Sequence, residues 1–581
     1  MRYPQTQGHR ASGAVNNARK IKMMPTYRLT HLQRAALAGL TALATSGALA
    51  QTVQPDAGQT LRQLQQLTPP ARQPAAPTLS LPPETDTQAD ATVRFAITAV
   101  KVEGNTLLPS SAIQPLVAGL AGREATLGEL RQAASRITQL YRTRGFVVAR
   151  AFVPAQEIRA GAVRIVVLEG SLSSTSIQNS SIVHTPVLEN VVAAQALQGK
   201  SIRTPELDRE LLLIADLPAV GAVNGILKPG KSVGASDLAI SAAAGKSREG
   251  DISLDNYGNR YTGQTRLNGH VDLNSPARIG DRLSLRATYT NEKLLYGRAV
   301  YDLPANGDGW RVGANLSSSH YELGREFTNL DADGTANTIG LQTSYPVLRG
   351  LNANVWVRGA LDQRKLKDRI RSTGTDTHKS IRAGTVEAYG DVTDALGGGA
   401  YSTWRASAVM GQLDIDTPAA YLADQAGPHA DGSYRKFEFG ANRQQVLASR
   451  TSALAALSGQ WAPHNLDSSE KFVLGGIQGV RAYPQGEGVG DDAWLVNLEL
   501  RQDVAAGVQA GVFYDHGHVR FNHDAYAQGA NGLTLKGAGL SLAVKYRTID
   551  LKAALAWRRG QAATSAPDRN PRLWIMASNS F

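Results

Sequence analysis

The chain has 581 residues, 42% of them hydrophobic, and no cysteine, which excludes disulfides and thiolate metal sites. The formal charge of +12 invites a nucleic-acid reading, but the first 50 residues hold seven Lys/Arg and no acid. The remainder carries 54 basic and 49 acidic residues, a net +5 over more than 500 positions, so nucleic acid is not expected as a partner.

Residues 1–50 are laid out as a secretory signal: Arg19, Lys20, Lys22, Arg28 and Arg34, then the apolar run 35–44, then Ala48-Leu49-Ala50 at the cleavage site. The mature chain is expected to begin at Gln51. Met23 or Met24 as the start gives a signal of ordinary length. A membrane anchor is the other reading, but the run is too short to span a bilayer. Beyond residue 50 no stretch of about 18 apolar residues occurs, so an exported chain of this kind is soluble, secreted or a β-barrel.

Residues 51–68 contain a short helix, with Leu61, Leu64 and Leu67 at helical spacing behind a possible Asp56 cap. Residues 69–91 hold six prolines between Pro69 and Pro83 and read as an extended, unpacked linker. A helix of about 12 residues on a tether is marginal alone and must dock somewhere.

Residues 92–170 and 171–247 read as two small α/β modules in tandem. In the first, 95–102 alternates as a strand. Leu127, Leu130, Ala134, Ile137 and Tyr141 line a helix that stops at Gly145, and strands follow near 146–153 and 162–168. The second repeats the pattern, with helices near 185–197 and 204–214 and strands near 222–227 and 237–243.

From 248 to 581 period-two alternation dominates. In 282–290, Leu283, Leu285, Ala287 and Tyr289 face one way while Arg282, Ser284, Arg286 and Thr288 face the other. Similar segments recur, separated by turns such as Asn306–Asp308 and Asp331–Gly334. A soluble β-sandwich shows alternation too, but gives no reason for charged residues to line up opposite short apolar faces. A membrane barrel does: lipid outside, water inside.

Three motifs invite enzymatic readings that their context opposes. Gly225–Ser232 fits the P-loop pattern, yet another strand follows it and Pro229 removes a donor that phosphate needs. Gly230-Lys-Ser-Val-Gly234 fits a nucleophile elbow, but lies in the same hairpin turn. His516 and His518 share a strand face. Two ligands are weak evidence for a metal, and the preferred reading is lumen-facing or loop-proximal polar residues.

The Gly-rich stretch 475–490 surrounds Arg481 and Tyr483. Downstream, Asp515 stands in Phe513-Tyr-Asp-His-Gly517, on a predicted strand. If that strand faces a lumen, Asp515 needs a cation. Arg481 is one candidate; the alternative is a solvated loop arginine.

At this point the chain resembles the TpsB-type outer-membrane transporters of two-partner secretion, the ShlB/FhaC/HecB family of the BamA-like superfamily. The parts stand in family order: plug-like helix, Pro-rich linker, two POTRA-like modules, barrel. Val102–Leu107, Leu140–Phe146 and Val167–Gly170 are similar to POTRA signatures. Leu254–Asn259, Gly479–Tyr483 and Phe513–Gly517 are similar to barrel signatures. The resemblance implies a transmembrane antiparallel β-barrel of about 16 strands over 248–581. It also implies an inner loop folded into the lumen, held by Arg481 on Asp515 with Gly479, Tyr483 and Gly517, and a C-terminal insertion signal ending at Phe581. Ala482 replaces the usual Gly, and Asn579 stands where an apolar or aromatic residue is typical.

The implied function is secretion of a large haemolysin- or adhesin-like partner from the periplasm to the surface of a Gram-negative cell, without enzymatic chemistry, cofactor or metal. The expected partners are an unfolded TpsA-type exoprotein, outer-membrane lipids, and the assembly machinery that inserts the barrel. Rival readings are a BamA-like insertase, against which two modules and a plug helix argue, a passive porin, and a surface enzyme on a barrel.

Overall fold

The computed structural model describes residues 55–66, 77–80 and 93–581. The signal segment, Leu67 and most of the linker lie outside the described residues.

Helix α1 (Ala57–Gln66) opens behind Asp56, whose carboxylate accepts from Gln59 N at 2.8 Å. The linker does not read as expected throughout. Thr78–Ser80 forms strand β1, paired with the second module, because Leu79 finds an apolar seat there.

The first module contains β2 (Arg94–Ile97), β3 (Ala99–Glu103), α2 (Ser110–Val117), β4 (Arg123–Thr126), α3 (Leu127–Thr143), β5 (Arg150–Phe152) and β6 (Ala162–Leu168). Strands order β3-β6-β5, with a separate β2-β4 pair. Thr126 and Glu129 form a capping box that starts α3. Leu130, Ala134, Ile137 and Tyr141 carry that helix's buried face. The expected strand at 146–153 shrinks to β5, since residues 147–149 form a turn.

Three separated signatures of this module converge on Glu169. Its carboxylate accepts from Thr106 N and Leu107 N, each at 2.7 Å, and from the Tyr141 hydroxyl at 2.7 Å. Burial works against the Glu169 charge. The bonds from Thr106, Leu107 and Tyr141 outweigh it and hold the carboxyl below its ordinary range. Burial, with Glu169 beside it, pushes the Tyr141 hydroxyl well up.

The second module contains β7 (Ser171–Asn179), α4 (Thr185–Gln195), α5 (Thr204–Ala215), β8 (Val220–Pro229) and β9 (Ala235–Ala244), in the order β1-β8-β9-β7. The formal P-loop and nucleophile-elbow motifs fall in the β8–β9 hairpin. Helix α5 seats the module on the barrel. Arg209 donates to Pro346 O at 3.0 Å and Asp308 O at 3.2 Å. Asp216 takes Arg349 through two bonds of 2.7 and 2.8 Å.

The barrel begins with β10 (Arg248–Asp255), β11 (Arg266–Asn274), β12 (Arg282–Thr290), β13 (Leu295–Pro304), β14 (Arg311–Glu322) and β15 (Ala332–Arg349). It continues through β16 (Ala353–Ile370), β17 (Thr375–Asp394), β18 (Ala400–Ile415), β19 (Gly432–Ala448) and β20 (Thr451–Trp461). A small hairpin, β21 (Phe472–Val473) with β22 (Val489–Gly490), interrupts it. The wall resumes with β23 (Asp492–Ala505), β24 (Val508–Arg520), β25 (Gly532–Tyr546), β26 (Ile549–Arg558) and β27 (Arg572–Ser580). Sixteen strands close as β27 pairs antiparallel with β10. Closure removes the unpaired edges that lipid cannot satisfy.

Alternation sets the two faces. Leu285 and Tyr289 are 41% and 54% exposed on the outside, while Arg282 turns inward to Asp302 at 3.3 Å. The expected turn at Asp331–Gly334 is displaced: Ala332 already opens β15, and Asp331 alone takes a left-handed conformation. A short helix, α6 (Pro418–Gln425), stands in the β18–β19 loop, where the sequence shows no sustained helical periodicity. At the closing seam Phe581 N donates to Gly250 O at 3.0 Å. Asn579 shares the outward row of Leu573 and Ile575, so its amide replaces an apolar contact on the lipid side.

Candidate functional site

The residues between β20 and β23 fold back into the lumen. Leu474, Val480, Ala482 and Tyr483 are buried among inward side chains of β23–β27, including Leu495, Phe513, Leu535 and Trp574. The loop closes on itself through Leu474 N to Gly488 O at 2.9 Å and Val480 N to Leu474 O at 2.8 Å. Gly479 permits that closure, since a Cβ there would stand 1.9 Å from Leu474 O.

Asp515 faces inward, on the same row as buried Phe513, while Val512 and Tyr514 face out at 51% and 40% exposure. Its carboxylate accepts from Arg481 N at 3.0 Å, Nε at 2.9 Å and Nη2 at 2.8 Å. The guanidinium also reaches Glu499 at 2.8 Å and lies 3.4 Å from the Phe513 ring centroid. One planar cation thus bridges two wall acids across a ring face.

Three neighbours without a sequence motif complete the cradle. Asn497, directly across the strand pair, donates to Asp515 at 2.8 Å and to Gly479 O at 3.0 Å. Glu499 shares its inward row. Trp574 Nε1 donates to Arg481 O at 2.6 Å. The available signal was parity: Asn497 and Glu499 are polar residues on the buried face of an alternating strand.

Tyr483 is fully buried and donates to Gln561 O at 3.0 Å. Gly517 leaves bare wall for the loop, since a Cβ there would lie 2.5 Å from Leu474 Cδ1. Ala482 keeps a negative φ, and its methyl group faces Gly537, so the substitution of the usual Gly is matched by a missing side chain opposite. His516 and His518 do not face the lumen. They share the outward row of Tyr514, where His516 packs edge-on to Trp494.

Helix α1 lies inside the barrel, at the end opposite Phe581. Ala57 and Leu61 are buried among Tyr261, Tyr321, Leu366 and Ile381, and Leu64 packs against the same cluster. Ala57 N donates to Asp368 at 2.8 Å. Two charge relays tie the helix to wall and loop. Arg62 pairs with Glu438; Lys436 bridges Glu438 at 3.0 Å and Glu470 at 2.9 Å; Arg364 also pairs with Glu470. On the other side Lys379 reaches Asp467 at 2.7 Å and Asp56 at 3.9 Å.

The model of the haemolysin secretion/activation protein family ShlB/FhaC/HecB matches residues 234–544, more than half of the chain. The chain belongs to this family. Residues 95–170 match the ShlB-type POTRA domain. The chain is therefore an outer-membrane transporter of two-partner secretion, with POTRA domains in the periplasm. It is 27% identical over 462 residues to the heme/hemopexin transporter protein HuxB of Haemophilus influenzae, covering 77% of this chain and 81% of that one. It is 24% identical over 489 residues to the outer membrane transporter CdiB of Dickeya dadantii, covering 82% and 84%. CdiB from Escherichia coli has the same fold, with a TM-score of 0.68 at 19% identity over 96% of this chain and all of that one.

Proposed function

We propose that this transporter secretes one large haemolysin- or adhesin-like exoprotein, which arrives unfolded in the periplasm, and that α1 is its resting plug. The observation that carries this is the seating of α1 in the lumen, with its apolar face buried and its charges paired to wall and loop. A passive pore has no use for such a helix. An insertase, which works at its barrel wall, has none for a blocked lumen.

The Arg481–Asp515 cradle holds the inner loop against β24. The POTRA domains capture cargo strands along their sheet edges. Transport proceeds without covalent chemistry, and folding of the cargo outside biases its movement. Outer-membrane lipid holds the barrel, and the cell's assembly machinery inserts it through the strand ending at Phe581.

The test is co-expression with the partner exoprotein in cells with and without this chain, scoring the partner by surface protease access. The partner reaches the surface only when the chain is present. Unchanged partner export, with a general loss of other barrels, would favour the insertase reading.

A further inference from the structure

The tether that joins α1 to the first module is not free. Its strand β1 pairs in parallel with β8, Thr78 against Asn224, Leu79 against Gly225 and Ser80 against Ile226. Pro77 is buried and Leu79 half-buried, while Thr78 and Ser80 are exposed, the alternation of a strand laid on a sheet edge.

Gly225 makes the seat. A Cβ there would stand 3.0 Å from Leu211 and 3.3 Å from Leu79, so the missing side chain is what admits Leu79 against α5. The Thr78 hydroxyl adds a bond to the Asn224 side chain. Ile226, beside Ser80, keeps 43% of its surface exposed. Without β1, β8 would be the open edge of the sheet, because its other side is taken by β9.

We propose that the β8 edge around Gly225 is a docking site for an extended segment of the secreted exoprotein, and that β1 occupies it as an intramolecular competitor. This rests on the transport reading above. The occupant is a strand with one apolar side chain for the Gly225 seat and polar neighbours facing out, the pattern β1 itself presents. β1 spans three residues of a ten-residue strand. Three paired residues supply few hydrogen bonds, so its hold is weak and a longer strand displaces it.

Displacement changes the reach of the plug. Eleven residues separate Gln66 from Thr78, at most about 40 Å of chain, so docked β1 leashes α1. With β1 released, the leash runs 27 residues to Arg94, roughly 90 Å. Cargo arrival on β8 thereby frees the tether, so that α1, once out of the lumen, can move clear of the barrel mouth.

The native chain has no cysteine, so one disulfide can be installed cleanly. Thr78→Cys with Asn224→Cys locks β1 on β8. The expected result is at least tenfold more partner secretion after reduction than before it. Equal secretion before and after reduction of a verified disulfide overturns the proposal. A second measurement does not depend on the lock. A synthetic peptide of residues 74–84, added to the detergent-solubilised Leu79→Asp chain, binds, and Gly225→Val in that background weakens binding at least tenfold. No binding, or binding that ignores Gly225, overturns the site. If the wild-type chain fails to secrete the partner at all, the transport reading fails instead, while the peptide result still decides the site.

Discussion

Arg481 and Asp515 are joined by three hydrogen bonds of 2.8–3.0 Å that fasten a lumen loop to a barrel strand, and the Asp515 side chain has no exposed surface. Truncating the arginine leaves a buried carboxylate with no guanidinium beside it, held by Asn497 and by the backbone N–H of residue 481. Arg481→Ala should cost on the order of 3–5 kcal/mol and release the loop. Heat-modifiability on gels should show a lower barrel unfolding temperature, and secretion should fall. Arg481→Ala with Asp515→Ala should be more stable than Arg481→Ala alone, because no charge is stranded.

Glu169 predicts acid sensitivity of the first module. Its folded carboxyl lies below its ordinary value of 4.5, so its stabilisation is complete above that value and is lost as pH falls through the folded one. Glu169→Ala should cost roughly 2 kcal/mol at neutral pH, the scale of hydrogen bonds to a charged group. Limited proteolysis of the periplasmic domains against pH checks both statements. The variant should lack the protection that wild type gains as pH rises through this window.

Glu210 predicts the opposite slope in the second module. It is fully buried on α5, neither carboxylate oxygen has a hydrogen-bond partner among the described residues, and burial raises its carboxyl to about 7. The folded state therefore favours the proton. Stability is greatest below the ordinary value of 4.5 and declines until pH passes 7. Glu210→Gln should remove that decline. Near pH 8 the variant should be more stable by on the order of 3 kcal/mol, with little advantage at pH 4. Thermal proteolysis at the two pH values measures the difference.

Asp216 and Arg349 join α5 to the barrel, and the Arg349 side chain is 5% exposed. Arg349 also donates to Asn354 at 2.7 Å, which is bound in turn to Asp391 at 3.0 Å. Asp216→Ala should loosen the second module from the barrel rim and expose the connection at residues 245–247 to protease. The barrel itself should keep its unfolding temperature.

The alternating strands and the Gly-rich loop were legible because they are local patterns: β12 and β18 each show one apolar and one polar face. The Arg481–Asp515 contact needed the family resemblance, since the residues alone favoured a solvated loop arginine. The seat of α1 was not legible. Its partners lie far along the chain, Glu438 at 376 residues from Arg62 and Ser468 at 412 from Asp56, and only barrel closure brings them together. The strand at Thr78–Ser80 was hidden for another reason. Prolines on both sides read as an unpacked tether, while its seat is a glycine 146 residues away, between Leu79 and Gly225.

Whether α1 plugs a pore is decided most directly by single-channel conductance in a planar bilayer. The mature chain from Gln51 is compared with one lacking residues 51–68. The intact chain should be closed most of the time, with brief openings, and the truncated chain stably open. Equal conductance from both would contradict the plug and leave α1 as a passenger in an open barrel.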